Sequence, residues 1–556
     1  MDLDRSEADA FLSALSRRLD RRAFLGAAGS VSLAAFLMAC GAGQTNQTNQ
    51  GASSGPVTWA KGPVKFVYIN SGDPNSLDPA ITTLFNAYDV VRNVYDPLVQ
   101  VDETKQQLIP WLARSFESSS DGTTHTFHLR RGVTFHDGSK LDAASVQLNM
   151  QRYMAIGGVG NGYLIDDIAD VSVVDPMTVK ITTKSPDSWL PAHLTKFPMV
   201  SADAVMKNRT ASDPWAKTFF NKNMVGTGAY KFDSWQPGVQ IVLNKNEQWW
   251  KGGWQPGSID QVIIKPVTEA ATRVELIQSG EADFCTQWTI SDAVTAGQQS
   301  GFTLQKYHTP DTDPVIFMNA AKPPLDNQLV RQAFQSAFDY DAVAKYFQGY
   351  STGMGGPFPP FYAAADKSLP NFKRDLNKAR SLLKQANVDP SSITIQYLAA
   401  TGYPDLLMAG AVSQSSLQDL GIKVNVQQMP YGQILAAYSN PATAGMMTAI
   451  YNSPYTLDPT MFLAEFLPTY VHYNYYNVPM QDVVSLVSQI RAETDAGKRQ
   501  TLLDNVQKAI REHAPVIFGA TPQTLIPIRN YIHGYVMQET DFRYPTLFYQ
   551  LRIAQH

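Results

Sequence analysis

Cysteine is scarce in this 556-residue sequence, which contains Cys40 and Cys285 and no other thiol. Cys40 ends an apolar segment near the N-terminus, so its modification would leave Cys285 alone and allow no internal disulfide. This shortage excludes a small scaffold held together by disulfides. The chain must instead be stabilised by hydrophobic cores, and its length predicts about two or three domains.

The sequence also has no excess of positive charge, because 45 Lys and Arg residues face 49 Asp and Glu residues and the net charge is −4. Nucleic-acid-binding proteins present basic patches, so this balance argues against a nucleic-acid partner. No short internal repeat occurs either, which argues against a repeat-built structural or adhesion protein.

Motifs for common catalytic and cofactor sites are missing. No Gly-rich loop followed by Lys-Ser or Lys-Thr is present to hold a nucleotide phosphate, and no His-Glu-x-x-His is present to bind zinc. His125 and His128 are three residues apart on an expected strand, so they face opposite sides. We therefore predict no enzyme activity, no catalytic residue, no cofactor and no metal site. An exported hydrolase is kept as an alternative, because catalytic groups distant in sequence can meet in the fold.

The N-terminal segment has the parts of an export signal. Arg21 and Arg22 precede an apolar run over residues 23–39, and Leu-Met-Ala-Cys ends that run at Cys40. Paired arginines are typical of the twin-arginine route, with the general export route as the alternative. The ending resembles a lipoprotein box, in which the cysteine is acylated. We predict an export signal over residues 1–39 and a lipid on Cys40. A flexible tether of Gly, Ser, Thr, Asn and Gln then covers 40–62 and leads to an extracytoplasmic protein.

Periodicity further along the chain predicts a mixed α/β fold. Hairpins are expected over 171–181 and over 226–244, the second turned at Pro237-Gly238. Asp142 is expected to cap a helix. The apolar stripe of this helix consists of Val146, Met150, Tyr153 and Met154. A strand over 393–398, a helix over 405–420 and a strand over 423–427 predict a βαβ unit with a parallel sheet.

Several separated blocks stand in one order along the chain. The most specific is Thr-Phe-His-Leu-Arg-Arg-Gly-Val-Thr-Phe-His-Asp-Gly over 126–138, and others lie at 225–231, 276–284, 318–333 and 420–424. This set resembles the family 5 extracellular solute-binding proteins, the receptors of dipeptide, oligopeptide and nickel importers of the ABC class. The blocks are mostly scaffold, and Gly138 and Gly228 are expected to serve backbone turns.

The resemblance implies a periplasmic-binding-protein type II clamp, an α/β fold with two lobes, an extra domain and a ligand between the lobes. It places lobe I at 63–96 with 223–312 and 521–556, the extra domain at 97–222, and lobe II at 313–520. It also implies a monomer that binds a peptide or another small solute. Its expected partners are an ABC permease, the ATPase subunits of that permease and, through Cys40, the membrane.

Ligand-binding residues are expected on loops carried by rigid elements. By resemblance we assign to the ligand site two groups of residues: Phe85, Asn86, Gln287 and Trp288, and Tyr451, Asn452, Tyr455 and Asp458. Peptide-binding relatives carry, three residues before the acid of the Asp-Pro-like step, an Asp that holds the peptide ammonium. Here that position is Tyr455. Asp458 is the alternative acid for this role, although its position in the Asp-Pro step predicts that it caps the following helix.

The missing acid leaves the class of ligand open between a peptide, an oligosaccharide and another small organic solute. Burying an ammonium without a carboxylate is costly, which disfavours classical peptide capture. The surrounding segment is rich in aromatic residues, which suit the apolar faces of sugars, although half or more of them are expected to be core. Peptide keeps the lead because it is the commonest ligand of the family.

Replacing Cys40 tests the lipid anchor. We expect Cys40→Ser to release the folded protein from membranes, because the acylated residue is lost while the globular part is unchanged. Membrane fractionation with a high-salt wash measures this, and retention of the variant in the membrane fraction would show that the lipid assignment is wrong.

Replacement of Arg21 and Arg22 by lysine should block export if the twin-arginine route is used.

Overall fold

The computed structural model describes residues 56–556 apart from 83–84, 158–161, 439–443, 453–455, 468–477 and 541–543. The predicted signal with Arg21 and Arg22, the predicted lipid site Cys40, most of the tether and Tyr455 lie outside the described residues. No helix in the described part is long and apolar enough to cross a membrane.

The strands are numbered in chain order. They are β1 (Lys65–Asn70), β2 (Val99–Asp102), β3 (Gln107–Pro110), β4 (Ala113–Ser118), β5 (Thr124–Leu129), β6 (Ile168–Asp175), β7 (Thr178–Thr183), β8 (Tyr230–Gln236), β9 (Gln240–Lys245), β10 (Gln261–Pro266), β11 (Phe302–His308), β12 (Thr312–Met318), β13 (Ser351–Gly353), β14 (Thr394–Thr401), β15 (Lys423–Pro430), β16 (Met447–Asn452), β17 (Val516–Phe518), β18 (Ala520–Arg529), β19 (Ile532–His533) and β20 (Arg552–Ile553).

The α-helices are numbered in the same way. They are α1 (Phe85–Val94), α2 (Ala143–Ile156), α3 (Leu190–His193), α4 (Ala202–Asn208), α5 (Lys217–Phe220), α6 (Ala270–Ser279), α7 (Ile290–Gly297), α8 (Gln328–Ala337), α9 (Tyr340–Tyr346), α10 (Leu376–Gln385), α11 (Pro404–Gln418), α12 (Tyr431–Tyr438), α13 (Gln481–Ala492) and α14 (Ala496–His513). Short 3₁₀ helices cover Gly162–Ile165, Leu194–Lys196, Pro390–Ser392, Pro459–Phe466 and Phe548–Gln550.

Three main sheets organise these elements. The sheet of lobe I has the order β1-β10-β9-β8, with β1 and β10 parallel, and the extra domain has the antiparallel order β4-β5-β7-β6. Lobe II has the order β15-β14-β16-β12-β17, in which β14 runs parallel to both β15 and β16. The α/β clamp with two lobes and an extra domain is thus confirmed as the fold class.

Buried apolar side chains form two large cores. The first runs from Val64 to Ile553 and is continuous across lobe I and the extra domain. The second lies within lobe II, between Val315 and Ala520. The chain crosses between the cores along β11 and β18, which pair antiparallel from Phe302 opposite Arg529 to His308 opposite Gln523. A paired ribbon of two strands therefore joins the lobes.

A buried ion pair joins the extra domain to lobe I. Arg152 on α2 donates from Nη1 to Oδ1 of Asp78 over 2.8 Å and from Nη2 to the other carboxylate oxygen, while its Nε donates to the carbonyl of Trp215 over 3.0 Å. The side chains of Arg152 and Asp78 are 1 % and 0 % exposed. Because each ion is fully removed from water, each depends on the other.

The hairpins and the βαβ unit predicted from the sequence are present. Strands β6 and β7 pair antiparallel, β8 and β9 pair around Pro237-Gly238, and β14, α11 and β15 form the parallel unit. Asp142 caps α2 as expected, because its side chain accepts the N–H of Ser145 over 2.8 Å.

Three details of the sequence reading were wrong. Met154 is 37 % exposed, because it lies at the margin of the apolar stripe of α2. Strand β8 begins at Tyr230 rather than at Gly226. Gly228 serves a close approach and not a left-handed turn: a Cβ there would lie 2.6 Å from the carbonyl oxygen of Asn93. Gly138 does adopt a left-handed φ of 87°.

We expect Asp78→Asn to lower the free energy of unfolding by about 3–5 kcal/mol, because it leaves the buried guanidinium of Arg152 without a counter-charge. Urea denaturation measures the change. A matched control is Glu247→Gln, which removes an exposed partner of Lys245 and should cost less than about 1 kcal/mol. Equal stability losses in the two variants would contradict the prediction.

Candidate functional site

Both lobes present the carboxyl ends of parallel strands. In lobe II, β14, β15 and β16 end at Thr401, Pro430 and Asn452 on one edge of the sheet. Strand β12 starts at the same edge, because Thr312 pairs with Asn452. In lobe I, β1 ends at Asn70. Ligands of open α/β sheets bind outside such strand ends, which makes these two edges the candidate site.

Three side-chain amides line the lobe I edge, and we call Asn70, Asn86 and Gln287 the amide wall. Asn70 Nδ2 donates to the carbonyl of Asn86 over 2.9 Å, and Gln287 Nε2 donates to Asn70 Oδ1 over 3.4 Å. Asn86 Oδ1 accepts the hydroxyl of Ser71 over 3.2 Å. Gln287 Oε1 is buried and has no hydrogen-bond partner among the described residues. Buried acceptors are normally paired, so this oxygen is suited to a donor from a ligand.

The buried carboxylate of Asp89 holds Asn70 of the amide wall in place. Its carboxylate accepts Asn70 Nδ2 over 3.2 Å and the N–H of Thr546 over 2.8 Å. Burial raises the pKa of Asp89 to about 7, although the N–H of Thr546 and the hydroxyl of Tyr68 act in the opposite direction. Asp89 thereby ties β1 to the C-terminal segment and orients Asn70.

The sequence predicted two pairs of site residues in lobe I, Phe85 with Asn86 and Gln287 with Trp288, and their surroundings differ. Asn86 belongs to the amide wall, and Phe85 is the first residue of α1. Trp288 is half-buried against a small core of Ile69, Ile277, Ala282 and Cys285, and its Nε1 donates to the carbonyl of Cys285 over 2.8 Å. Burial raises the pKa of the Cys285 thiol to about 11, which leaves it protonated and packed. Ile290, shortly after Trp288, packs against the second core, so this segment borders lobe II.

A second cluster stands at the lobe II edge, and we call Tyr403, Asp405, Tyr431 and Tyr451 the tyrosine wall. The hydroxyl of Tyr451 donates to the Asp405 carboxylate, 2.8 Å from one oxygen and 2.9 Å from the other. The ring of Tyr403 lies 5.1 Å from that of Tyr431 and 6.1 Å from that of Tyr451. All four side chains are half-buried. Sequence reasoning selected Tyr451 but missed the other three, although each lies within five residues after a strand of the observed βαβ unit.

Asn452 is buried inside lobe II, and Asp458 is buried where lobe II meets the extra domain. Asn452 is 2 % exposed, and its Nδ2 donates to the carbonyl of Phe462 over 3.3 Å. Asp458 caps the 3₁₀ helix Pro459–Phe466, where it accepts the N–H of Thr460 over 2.8 Å. These bonds fix the end of β16 and the start of the 3₁₀ helix Pro459–Phe466.

Asp458 also forms a polar contact between lobe II and the extra domain. Its Oδ2 lies 3.0 Å from Nε2 of His193, whose Nδ1 is 3.6 Å from Asp187. In the helix that Asp458 caps, Met461 and Ala464 join the first core while Phe462 and Leu463 join the second. We call His193, Asp458 and the helix Pro459–Phe466 the latch, because together they connect the two cores away from the crossing strands.

Two open depressions elsewhere on the surface do not match this site. One of about 450 Å³ is lined by residues that include Lys61, Lys245 and Asp260, and one of about 390 Å³ lies beside Arg380 and Asn387. Lys245 is already paired with Asp260 and Glu247. Neither depression includes a residue of the amide wall, the tyrosine wall or the latch. Within the described ranges, no three His, Cys, Asp or Glu side chains converge as metal ligands.

Two lobes with separate cores, a paired crossing ribbon and polar walls at the strand ends define a clamp-type solute-binding protein. The chain belongs to the bacterial extracellular solute-binding proteins, family 5, whose model matches residues 107–473. The family inferred from the sequence blocks is thereby confirmed, and the protein is a family 5 solute-binding protein of the ABC importer class. Its homologues are substrate-binding proteins rather than enzymes.

Curated relatives and solved structures agree with this assignment. The glutathione-binding protein GsiB of Pectobacterium atrosepticum is 30 % identical over 482 residues, which cover 84 % of this chain and 91 % of the relative. The periplasmic binding protein DppA from Helicobacter pylori, in complex with the peptide STSA, superposes with a TM-score of 0.76 at 23 % identity, covering 90 % of this chain and 99 % of that one. NikA from Brucella suis, in complex with Fe(III)-EDTA, gives 0.77 at 20 % identity, covering 88 % and 99 %. The solved structures establish the fold.

We expect Asp458→Asn to loosen the contact between lobe II and the extra domain, because it removes the negative charge from a fully buried pair with His193. Small-angle scattering should show a larger radius of gyration for the variant. Asp389→Asn is the matched control: Asp389 also caps a 3₁₀ helix at an Asp-Pro step, but on the surface. An unchanged radius in both variants would show that the latch does not hold the lobes together.

The same contact should weaken in acid. Burial raises the pKa of Asp458, but the hydrogen bond and charge of His193 outweigh burial and hold that pKa below its usual value of 3.8. The contribution of ionised Asp458 is therefore complete above pH 3.8 and is lost as the pH falls through the depressed pKa. Scattering across this range should show opening in the native protein and no further transition in Asp458→Asn.

Proposed function

We propose that this protein is a lipid-anchored extracytoplasmic receptor of an ABC importer. It captures a peptide or a similar small solute between its lobes and delivers the solute to the permease. The observation that carries the proposal is the buried Gln287 Oε1, which has no partner among the described residues and lies in the segment bordering lobe II. A ligand donor that enters between the lobes would satisfy it.

The amide wall supports a peptide-like ligand. Side-chain amides offer both a donor and an acceptor, and a peptide backbone offers the complementary pair at each residue. The name of the curated relative, a glutathione-binding protein, and the peptide in the DppA structure point to the same class of ligand. An oligosaccharide is the alternative, because the rings of the tyrosine wall could cover the apolar face of a sugar. Tyr455, which lies outside the described residues, stays a proposed contributor.

The two cores support the proposed domain boundaries and the proposed closure. Lobe I comprises 63–96, 223–312 and 521–556, with the extra domain at 97–222 and lobe II at 313–520. On ligand binding, lobe II would rotate about the ribbon of β11 and β18 until the latch forms. The site would then consist of Phe85, Asn86, Gln287, Trp288, Tyr451, Asn452 and Tyr455, whereas Asp458 acts in closure. The receptor works as a monomer with its permease and ATPase subunits.

Calorimetry with glutathione, a dipeptide panel and an oligosaccharide panel tests this function. We expect binding of a peptide-class solute and a smaller radius of gyration in the loaded protein. Gln287→Ala should weaken binding about tenfold, which corresponds to one lost hydrogen bond. Gln278→Ala, an exposed glutamine on the neighbouring helix α6, is the control and should have no effect. Binding without compaction, or equal affinity of Gln287→Ala and wild type, would contradict the proposal.

A further inference from the structure

We propose that the tyrosine wall is a subsite for a cationic group of the ligand, an ammonium or a guanidinium, with Asp405 as its counter-ion. The proposal rests on the proposed function and specifies the chemistry of the ligand. The missing acid at Tyr455 led us to expect that a ligand with a free ammonium is disfavoured. Asp405 changes this expectation, because it supplies a carboxylate from the end of another strand.

The topology brings the wall together. Tyr403 and Asp405 follow β14, Tyr431 follows β15, and Tyr451 is the penultimate residue of β16. Because these strands are parallel neighbours, their ends form one continuous edge. A carboxylate and three phenol rings thus occupy the position where open α/β sheets bind ligands.

The contacts of Asp405 leave room for a further donor. Within the described ranges, its carboxylate accepts the Tyr451 hydroxyl and the N–H of Leu406 over 3.1 Å, and no basic side chain pairs with it. An ionised carboxylate offers about four acceptor positions, so at least one is open. The side chain is half-buried, which lets a ligand reach it while part of its hydration is already removed.

The surroundings are negative as well as aromatic. Burial, together with the charges of Asp405 and Asp313, raises the pKa of Tyr346 at the end of α9. Asp313 is 4 % exposed, so Asp405 is the more accessible of the two acids. Phenol faces attract cations through their negative quadrupole, and a carboxylate among them adds a directional partner. This combination suits a cation and disfavours an anion.

The other acid expected near the ligand is already engaged. Asp458 is fully buried and binds His193 and Thr460 within the latch. A role for Asp405 in stabilising the first turn of α11 accounts for the Leu406 contact. That role does not require three tyrosines around the carboxylate, and asparagine would fulfil much of it.

The test removes the charge of the ligand by N-acetylation and the charge of the protein by Asp405→Asn, which keeps the shape of the side chain. Calorimetry would use Ala-Ala-Ala, glutathione and the N-acetylated form of each, with wild type and Asp405→Asn. We expect wild type to prefer the free amines. We expect Asp405→Asn to lose roughly ten- to a hundredfold in affinity for them while its affinity for the acetylated forms is unchanged. Asp203→Asn, an exposed first-turn acid of α4, is the control and should bind like wild type.

Native mass spectrometry of protein purified from its own host adds a readout that does not depend on the panel. A co-purified solute that carries an ammonium or guanidinium, and that is depleted from Asp405→Asn, would support the subsite. Equal affinity of wild type and Asp405→Asn for free amines, or a co-purified solute that carries neither an ammonium nor a guanidinium, would overturn it while leaving the receptor function intact. Absence of any bound solute, with no compaction, would instead contradict the proposed function.

Discussion

The division of the apolar side chains into two cores is the constraint on which the rest of the structure depends. Most buried apolar side chains of each lobe pack within that lobe, while Met461 and Ala464 of lobe II join the first core. The chain passes between the cores along β11 and β18, whose ladder of backbone hydrogen bonds keeps the crossing in register. Two bodies joined by a paired ribbon suit the hinge closure that we propose, in which the contacts between the bodies would form and break.

Two buried ion pairs have opposite effects on the movement of the parts that they join. Arg152 and Asp78 lie inside one continuous core, so their separation would require that core to open. His193 and Asp458 lie between two cores, so the hinge motion that we propose would separate and hydrate them without opening either core. Desolvation costs offset much of the attraction within a buried pair, so such a contact can be nearly balanced between closed and open states. In the closure that we propose, the extra domain would therefore move with lobe I, and lobe II would be the moving part.

Local patterns in the sequence predicted those elements whose reasons are local. The turn at Pro237-Gly238 and the capping of α2 by Asp142 depend on neighbouring residues and were predicted correctly. The role of Gly228 was not, because it depends on the backbone of Asn93 far away in the sequence. Tyr403, Asp405 and Tyr431 were missed for the same reason, because they join Tyr451 only when β14 pairs with β15 and β16. The partner of Asp458, His193, is 265 residues distant and had no signal in the sequence.

The two walls differ in what they can discriminate. Amide groups pair with either a donor or an acceptor, so the amide wall can bind the backbone-like polar groups that many solutes share. The tyrosine wall selects for one sign of charge, because a carboxylate and phenol faces attract a positive group and repel a negative one. On our proposal, lobe I binds what the possible ligands have in common and lobe II selects among them by charge. Closure then requires both walls to be satisfied at once, since a ligand that leaves Asp405 or Gln287 unpaired would lose interaction energy needed to hold the lobes together.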